Sequence, residues 1–249
     1  FSRDLISLKS IATWFGLFLL RIVSLLPYKI LMVLGSLLGR LLYRISPHRR
    51  QICKINIERC LGLQNEQLDS LVKLNFEATG RGVFETALAW WSSDNKISNL
   101  KTNITNGDIL KNSNEGVLVL IKHSTHLELD LRLLANFFDL TGMFKTQTNH
   151  VINYVMIKAR NNYIKGSLTN KEALRALRWI RNGENFVYAA DQDYGSKVSA
   201  SIPFFSHPAA TVTFPALLSK KGTQIIMADV SKLNGTYEID LKKLENFDN

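Results

Sequence analysis

Cysteine is scarce in this chain of 249 residues, which contains only Cys53 and Cys60. Seven residues apart in a helix-like stretch, the two thiols would share a face without reaching the geometry of an ordinary disulfide. This usage argues against a disulfide framework and fits a reducing, cytoplasmic setting. The start of the chain also lacks the charged, apolar and small-residue regions of a secretory signal, so we expect no removable signal peptide.

Acidic residues are absent between Leu5 and Ile57, where eight Lys or Arg residues occur. Much of the net charge of +10 comes from this segment, and the rest of the chain is almost balanced. Basic residues confined to one apolar N-terminal segment favour attraction to anionic headgroups at a membrane surface over a nucleic-acid-binding stripe. The same field would attract an acidic carrier protein. No aromatic and basic recognition motif appears, so we expect no nucleic-acid partner.

A hydrophobic run long enough to cross a bilayer is missing from the N-terminal segment. Ile11 to Ile45 is largely apolar, but Pro27 divides it into two helix-sized halves. The charge-free apolar runs Ile11 to Leu20 and Ile30 to Gly39 are ten residues each. A helix needs about 20 apolar residues to cross the hydrocarbon, so neither half is a clean transmembrane span.

The second half has one narrow polar stripe, since Ser36, Arg40 and Arg44 recur every four residues. The wide apolar remainder is typical of a helix lying at the boundary of headgroups and acyl chains. The alternative is an apolar helix pair packed on the domain core. Gly35 and Gly39 form a GxxxG pattern that we interpret as close packing and nothing more.

A chain of this length is sufficient for one good-sized core with a helical annex. We expect a membrane-anchoring helical segment at residues 1–45 and a single catalytic domain at residues 46–249. The chain starts at Phe1 and stops at Asn249, just after a strand-like run. We therefore expect it to be a fragment of a longer chain, incomplete at its C-terminal end.

Strand-like and helix-like patterns alternate after the N-terminal segment. Val117–Ile121 and Phe186–Ala190 are short, continuous apolar runs, typical of strands buried on both faces. We also predict one or two amphipathic helices over Gln51–Trp91, helices over Leu127–Phe138, Asn170–Asn182 and Ala209–Lys221, and a hairpin that joins Thr223–Asp229 to Thr236–Leu241 through Asn234-Gly235. A Thr169-x-x-Glu172 capping box marks the start of the helix predicted over Asn170–Asn182. The alternation predicts an α/β fold with a mixed central sheet flanked by helices.

Ionisable residues cluster where the two buried strands end, which is where open α/β sheets bind ligands. One cluster runs from Lys122 to Asp130 and the other from Asp191 to Gly195. His123 directly follows a strand, and Glu128 lies on the first turn of the next helix, so we expect the carboxylate to reach one imidazole nitrogen. The other nitrogen would then take a proton from an alcohol. Without a GxSxG elbow or a nearby cysteine, direct transfer from a thioester to a hydroxyl is the simplest reaction.

Four sequence blocks resemble a known enzyme family. His123-x4-Glu128 looks like the HX4D/E motif of the lysophospholipid and glycerol-3-phosphate acyltransferase superfamily. Tyr188–Gly195, Ile202–Phe205 and Ala209–Thr213 resemble, more narrowly, the lauroyl and myristoyl acyltransferases of lipid A synthesis. The likeness runs in order from the apolar N-terminus to about Leu241 and covers most of the chain.

The resemblance implies an acyltransferase architecture and O-acyl transfer from an acyl-carrier-protein thioester to a hydroxyl of a lipid A precursor. The implied partners are the acyl carrier protein, an anionic glycolipid acceptor and the bacterial inner membrane at its cytoplasmic face, with no cofactor besides the carrier thioester. His123 would be the base and Glu128 its orienting partner. Arg160 would bind a phosphate through its planar donor fork. Asp191, Asp193 and Tyr194 would form further parts of the substrate pocket.

Several alternatives stay open at this point. A metal-dependent hydrolase could use His123, His126 and Asp191 as ligands, whereas the acyltransferase interpretation assigns no metal. His126 with Asp130 is a rival pair at a spacing of four residues. Arg160 could be a solvated cation, and the two aspartates could simply close a polar turn. The basic N-terminus alone would also suit a non-catalytic membrane-binding module.

Overall fold

The computed structural model describes residues 5–111, 115–170 and 172–245. The helices are α1 Leu8–Val23, α2 Tyr28–Ile45, α3 Pro47–Leu61, α4 Asn65–Trp91, α5 Asp94–Ser98, α6 Asp108–Lys111, α7 Leu127–Ala135, α8 His150–Arg160, α9 Ala173–Arg181 and α10 Phe214–Ser219. The strands are β1 Thr102–Thr105, β2 Leu118–Ile121, β3 Leu140–Phe144, β4 Gly166–Thr169, β5 Asn185–Ala189, β6 Ser199–Phe204, β7 His207–Val212, β8 Ile225–Leu233 and β9 Thr236–Lys243.

Seven strands form one sheet in the order β1-β9-β8-β2-β5-β3-β4. All neighbours in it are parallel except β8 and β9, which form an antiparallel hairpin. The connecting residues Asn234 and Gly235 both have positive φ, of 50° and 81°, as a two-residue hairpin turn of this kind requires. The predicted mixed α/β sheet flanked by helices and the predicted Asn-Gly hairpin are thus confirmed.

The central strands β2 and β5 are buried on both faces, as their continuous apolar sequences predict. Leu118 and Phe186 pack into the hydrophobic cluster on one side of the sheet, whereas Val119 and Val187 pack into the larger cluster on the other. Successive side chains of a strand point to opposite faces, so both faces need apolar residues.

The N-terminal helices break after Val23 and restart at Tyr28, which confirms that Pro27 divides the segment. Helix α2 packs closely on α4 because both present glycine at the contact. A Cβ added to Gly39 would lie 2.2 Å from the Phe76 carbonyl oxygen, and one added to Gly80 would lie 2.1 Å from the Gly35 oxygen. The GxxxG pattern is therefore a close-packing feature, as interpreted from the sequence.

The outward faces of α1 and α2 carry apolar side chains at helical spacing. The exposed residues include Ile11, Phe15, Phe18 and Ile22 on α1 and Ile30, Val33, Leu37 and Leu41 on α2. Within the described residues no individual helix combines the length and apolar content of a bilayer span, and α2 with α3 meets that test only as a pair bent by 98°. The division of the chain at residue 45 stays a prediction, and residues 1–4 and 246–249 at its ends lie outside the described ranges.

The predicted helix Ala209–Lys221 is wrong in its first half. Residues His207–Val212 form β7, which pairs antiparallel with β6, and the helix covers only Phe214–Ser219. A tight turn at Phe205 and Ser206, both with positive φ, folds β7 back on β6 and supplies the pairing that a helical interpretation overlooked.

Two other predicted helices are shorter than expected. Helix α7 ends at Ala135 rather than at Phe138. Helix α9 begins at Ala173 rather than at Asn170, and Lys171 lies outside the described residues. The Glu172 carboxylate accepts hydrogen bonds from the Thr169 backbone N–H and hydroxyl, each at 2.9 Å. The acid of the predicted capping box therefore bonds back to Thr169, although the helix itself begins only at Ala173.

Candidate active site

A cavity of about 420 Å³ opens where β2 and β5 end. These two strands are adjacent and parallel, with Ile121 opposite Ala189, so the segments that follow them meet at the same edge of the sheet. His123, Glu128, Arg160, Gln192 and Tyr194 all line this cavity. The sheet therefore brings together most of the site residues predicted from the sequence.

The partner of His123 is Asp191, at the end of the neighbouring strand. The imidazole Nδ1 lies 2.5 Å from Asp191 Oδ1, and the His123 backbone N–H donates to Asp191 Oδ2 at 2.8 Å. In the neutral imidazole, a carboxylate acceptor at this position favours the tautomer with the proton on Nδ1 and the lone pair on Nε2. The predicted contact between His123 and Glu128 is thus wrong, because the imidazole instead contacts an acid that follows β5.

Glu128 binds a cation instead of the imidazole. Its carboxylate forms an ion pair with Arg160 Nη2, accepts from Arg160 Nε at 3.1 Å, and accepts from the Trp90 indole N–H at 2.9 Å. The side chains of Glu128 and Arg160 are only 13% and 7% exposed. A carboxylate removed from water is stabilised by a full positive charge and several hydrogen-bond donors. A guanidinium that contacts it at two points supplies both better than an imidazole does.

Arg160 is buried, so the alternative of a solvated cation is wrong. Its guanidinium lies 3.8 Å from the centroid of the Phe144 ring, and its Nη1 is buried without a hydrogen-bond partner among the described residues. Arg160 is one of the residues that line the cavity, and a guanidinium is suited to an anionic or carbonyl oxygen of a bound molecule.

Asp193 and Tyr194 have different positions from Asp191. Asp193 accepts a hydrogen bond from the Gly195 backbone N–H at 2.7 Å, which closes a turn, so the polar-turn interpretation describes this residue. Tyr194 lines the cavity, and burial together with the nearby Asp191 charge raises the pKa of its hydroxyl. It stays protonated at neutral pH and is available as a hydrogen-bond donor.

The rival pair His126 and Asp130 also exists, but in a more buried setting. His126 Nδ1 lies 2.5 Å from Asp130 Oδ1, and the Ser124 hydroxyl donates to Asp130 Oδ2 at 2.6 Å. The Asp130 side chain is 3% exposed, and burial raises its pKa. This pair ties down the loop between β2 and α7, which also carries His123.

Behind His126 lies a buried polar network. The His126 ring packs edge-on against Tyr237 with centroids 5.8 Å apart. The Tyr237 hydroxyl donates to the buried Glu85 carboxylate at 2.6 Å, and Lys232 forms an ion pair with the same carboxylate at 2.6 Å. The hydroxyl oxygen of Tyr28, at the start of α2, lies 2.8 Å from the Tyr237 hydroxyl oxygen, so the network joins the second N-terminal helix to the sheet.

The proposed metal ligands do not converge. His123, His126 and Asp191 are divided between two separate hydrogen-bonded pairs. Across the described ranges, no three His, Cys, Asp or Glu side chains are grouped so that they could hold a metal ion. The alternative of a metal-dependent hydrolase is therefore unsupported by the geometry of its own ligand set.

Two site features escaped the sequence analysis. Trp90 donates to Glu128 from 38 residues upstream, and Lys145 lines the cavity from the segment after β3. For Trp90, neither spacing nor a local motif connects the end of α4 to the start of α7. For Lys145, the strand pattern of Leu140–Phe144 was the available signal, since a residue after a central strand falls at the same edge of the sheet.

Comparisons with known proteins agree on one family. The family model described as bacterial lipid A biosynthesis acyltransferase matches residues 1–239. The lipid A biosynthesis lauroyltransferase of Escherichia coli (strain K12) is 30% identical over 224 residues, which cover 88% of this chain and 73% of that protein. The lipid A biosynthesis palmitoleoyltransferase of the same organism is 28% identical over 210 residues, or 83% of this chain and 68% of that protein.

A lipid A biosynthesis acyltransferase of Haemophilus influenzae is 25% identical over 214 residues, which cover 85% of this chain and 69% of that protein. Among solved structures, the 1-acyl-sn-glycerophosphate acyltransferase of Thermotoga maritima aligns over 88% of this chain and 86% of its own. The TM-score of this alignment is 0.36, and the two sequences are 10% identical.

Proposed function

The chain belongs to the bacterial lipid A biosynthesis acyltransferase family and is an acyltransferase, and on that premise we propose that it moves a fatty acyl chain from an acyl-carrier-protein thioester to a hydroxyl of a lipid A precursor. The family resemblance inferred from the sequence blocks is confirmed. The observation that carries the proposed chemistry is the hydrogen bond from His123 Nδ1 to Asp191 at the mouth of a cavity.

His123 acts as the general base in this proposal. Its Nε2 takes the proton of the acceptor hydroxyl while the oxygen attacks the thioester carbonyl carbon. The tetrahedral intermediate then collapses, the carbon–sulfur bond breaks, and the departing thiolate takes the proton back from the imidazolium. Asp191 keeps Nε2 unprotonated at the start and stabilises the positive imidazole between the two transfers.

Glu128 has an indirect role here, because its carboxylate is occupied by Arg160 and Trp90. It holds the guanidinium at the wall of the cavity, where Arg160 contacts an oxygen of the substrate. That oxygen belongs to a phosphate of the acceptor in our proposal, since the planar fork of arginine suits phosphate. Tyr194 and Gln192 complete the cavity wall as neutral donors.

The N-terminal helices place the enzyme at the surface of the membrane that contains its lipid substrate. Apolar side chains cover the outward faces of α1 and α2, and Arg21, Lys29, Arg40 and Arg44 occur on the same two helices. An apolar face flanked by cations suits the boundary of a membrane with anionic headgroups. We assign the protein to the cytoplasmic face of the bacterial inner membrane, where the basic segment would also attract the acidic carrier protein.

The test is mass spectrometry of lipid A from cells that carry or lack the gene. We expect the deletion to remove one acyl mass and plasmid-borne wild type to restore it, whereas a His123→Ala plasmid restores nothing. Purified protein should also transfer acyl groups from acyl carrier protein in excess chelator. An unchanged lipid A profile, or full restoration by the His123→Ala plasmid, would overturn the proposal.

A further inference from the structure

A second cavity, with a volume of about 840 Å³, is twice the size of the catalytic one. It lies between α1, the end of α4 and α8. One wall is a face of α1, because Trp14, Leu17, Phe18 and Arg21 follow the spacing of i, i+3, i+4 and i+7. The two cavities share no lining residue, but they adjoin at Trp90, which lines this one and donates its indole N–H to Glu128 of the catalytic cavity.

The lining of the cavity contains both aromatic and basic side chains. Trp14 on α1 packs edge-on against Tyr154 on α8, with ring centroids 6.3 Å apart. Arg21 and Lys158 occur in the last turns of these two helices, further along the chain in both cases. Seven residues of helix separate Trp14 from Arg21, a rise of about 10 Å. The cavity thus has an aromatic section and a cationic section.

The charges of the lining favour an anion. Three cations, Arg21, Arg132 and Lys158, border the cavity with one carboxylate, Asp94. The buried Arg132 already binds Asp94 at 2.8 Å and the carbonyl oxygens of Ala89 and Ser92. Arg21 and Lys158 have no carboxylate partner among the residues that the structure describes. Two of the three cations that line the cavity therefore have no carboxylate to compensate their charge.

The aromatic section borders the exposed apolar surface of α1. Phe18 lines the cavity and is also 60% exposed, in line with Phe15 and Ile22 on the outward face. An acyl chain that lies along this face could enter between α1 and α8 without crossing a polar barrier. A free phosphate ion would use the cations but leave the aromatic wall unfilled.

We propose that this second cavity binds a phosphate-bearing amphiphile, with its acyl chain against Trp14 and Leu17 and its phosphate at Arg21 and Lys158. The ligand comes from the membrane or is a chain and phosphate of the glycolipid acceptor, and the two sources share this chemistry. Binding here does not depend on the proposed reaction, because none of the groups assigned to proton transfer lines the cavity.

The chain contains its own reporter, since three of its four tryptophans, Trp14, Trp90 and Trp91, line the cavity. The fourth, Trp179, packs on Phe186 in another cluster. We expect chain-brominated dodecyl phosphate, below its critical micelle concentration, to quench the fluorescence of a Trp179→Phe protein saturably. Brominated dodecyl maltoside, which has the same chain and no phosphate, should need about tenfold more probe or show no saturation.

Paired variants assign the phosphate contact. Arg21→Gln with Lys158→Gln should raise the apparent Kd of the phosphate probe about tenfold or more and leave the maltoside response unchanged. The matched control is Lys29→Gln with Arg44→Gln, which removes the same charge from exposed positions on α2 and should change the Kd by less than about twofold. All four side chains are exposed, so folding should be unaffected.

Competition identifies the source of the ligand. Displacement of the bound probe by dihexanoyl phosphatidylglycerol alone points to a membrane lipid, and displacement by a lipid A precursor alone points to the acceptor; either result supports the site. Unsaturable quenching, equal affinity for the maltoside probe, equal losses in both double variants, or displacement by neither lipid would overturn it. Acyl transfer is not measured, so a failure of the proposed reaction would leave these readouts intact.

Discussion

Two histidines of the same loop, His123 and His126, lie three residues apart, and each pairs with an aspartate. The Nδ1–Oδ1 distance is 2.5 Å in both pairs. In His123–Asp191 the two side chains are 27% and 45% exposed, and the histidine lines a cavity. In His126–Asp130 they are 13% and 3% exposed, and the imidazole packs against Tyr237. A histidine in such a hydrogen bond is therefore a candidate base only where a substrate can reach its second ring nitrogen.

The origin of the acid explains the two environments. Asp130 lies four residues after His126 on the same chain segment, so the pair is local and turns toward the core. Asp191 follows β5 and reaches His123 across the end of the sheet, where ligands bind. One pair stabilises the loop, and the other faces the opening that the loop borders.

The largest expected effect is on turnover when the accessible imidazole is removed. His123→Ala should lower kcat by about 10²- to 10⁴-fold, the usual contribution of a positioned general base, with an unchanged unfolding midpoint. Transfer of labelled acyl groups from acyl carrier protein measures the rate, and His126→Gln is the matched control at the buried pair. Comparable losses of kcat in both variants would remove the distinction between the pairs.

The next effect separates the two acids that compete for the orienting role. In Asp191→Asn, the amide oxygen would accept from the His123 backbone N–H, so the amide N–H₂ would face Nδ1. That arrangement favours the tautomer with its proton on Nε2, which cannot act as a base, and kcat should fall by about 10²-fold or more.

Glu128→Gln should behave differently, because Glu128 contacts Arg160 rather than the imidazole. We expect its main effect to be a higher KM for a phosphorylated acceptor, with a smaller fall in kcat than in Asp191→Asn. Steady-state kinetics of the two variants side by side decide the matter. A Glu128→Gln enzyme without turnover, next to an active Asp191→Asn enzyme, would restore the pairing expected from the sequence.

The buried pair should respond mainly in stability. Asp130→Asn leaves the partly buried His126 and Ser124 with a poorer partner, so the free energy of unfolding should fall by about 1–3 kcal/mol, the cost of an unsatisfied buried group. Urea unfolding followed by circular dichroism measures it, and kcat of the folded variant should change less than in Asp191→Asn. An unchanged midpoint together with lost turnover would move Asp130 into the catalytic machinery.

The smallest effect is expected two residues from the orienting acid. Asp193 accepts a hydrogen bond from the Gly195 backbone, and an asparagine oxygen can accept the same bond. Asp193→Asn should therefore keep kcat and KM within about twofold of the wild-type values. A loss as large as that of Asp191→Asn would show that Asp193 contacts the substrate after all.

Much of the fold could be predicted because its signals are local. The apolar runs of β2 and β5, the break at Pro27 and the Asn234-Gly235 turn depend on period, ring constraint and left-handed backbone, which neighbouring residues determine. The helix predicted over Ala209–Lys221 is wrong at Ala209–Val212 because the structure there depends on a partner: these residues form a strand by pairing with β6 after a turn at Phe205. A short segment without that partner has no strong period of its own.

The family, the strand ends that carry His123 and Asp191, and the residue types available there can be inferred from the residues alone. Which of these side chains pair depends on how the chain folds. Asp191 is 68 positions from His123, and Arg160 is 32 positions from Glu128. Strand order and helix packing bring these residues together, and the buried guanidinium pairs with Glu128, which is less exposed than Asp191.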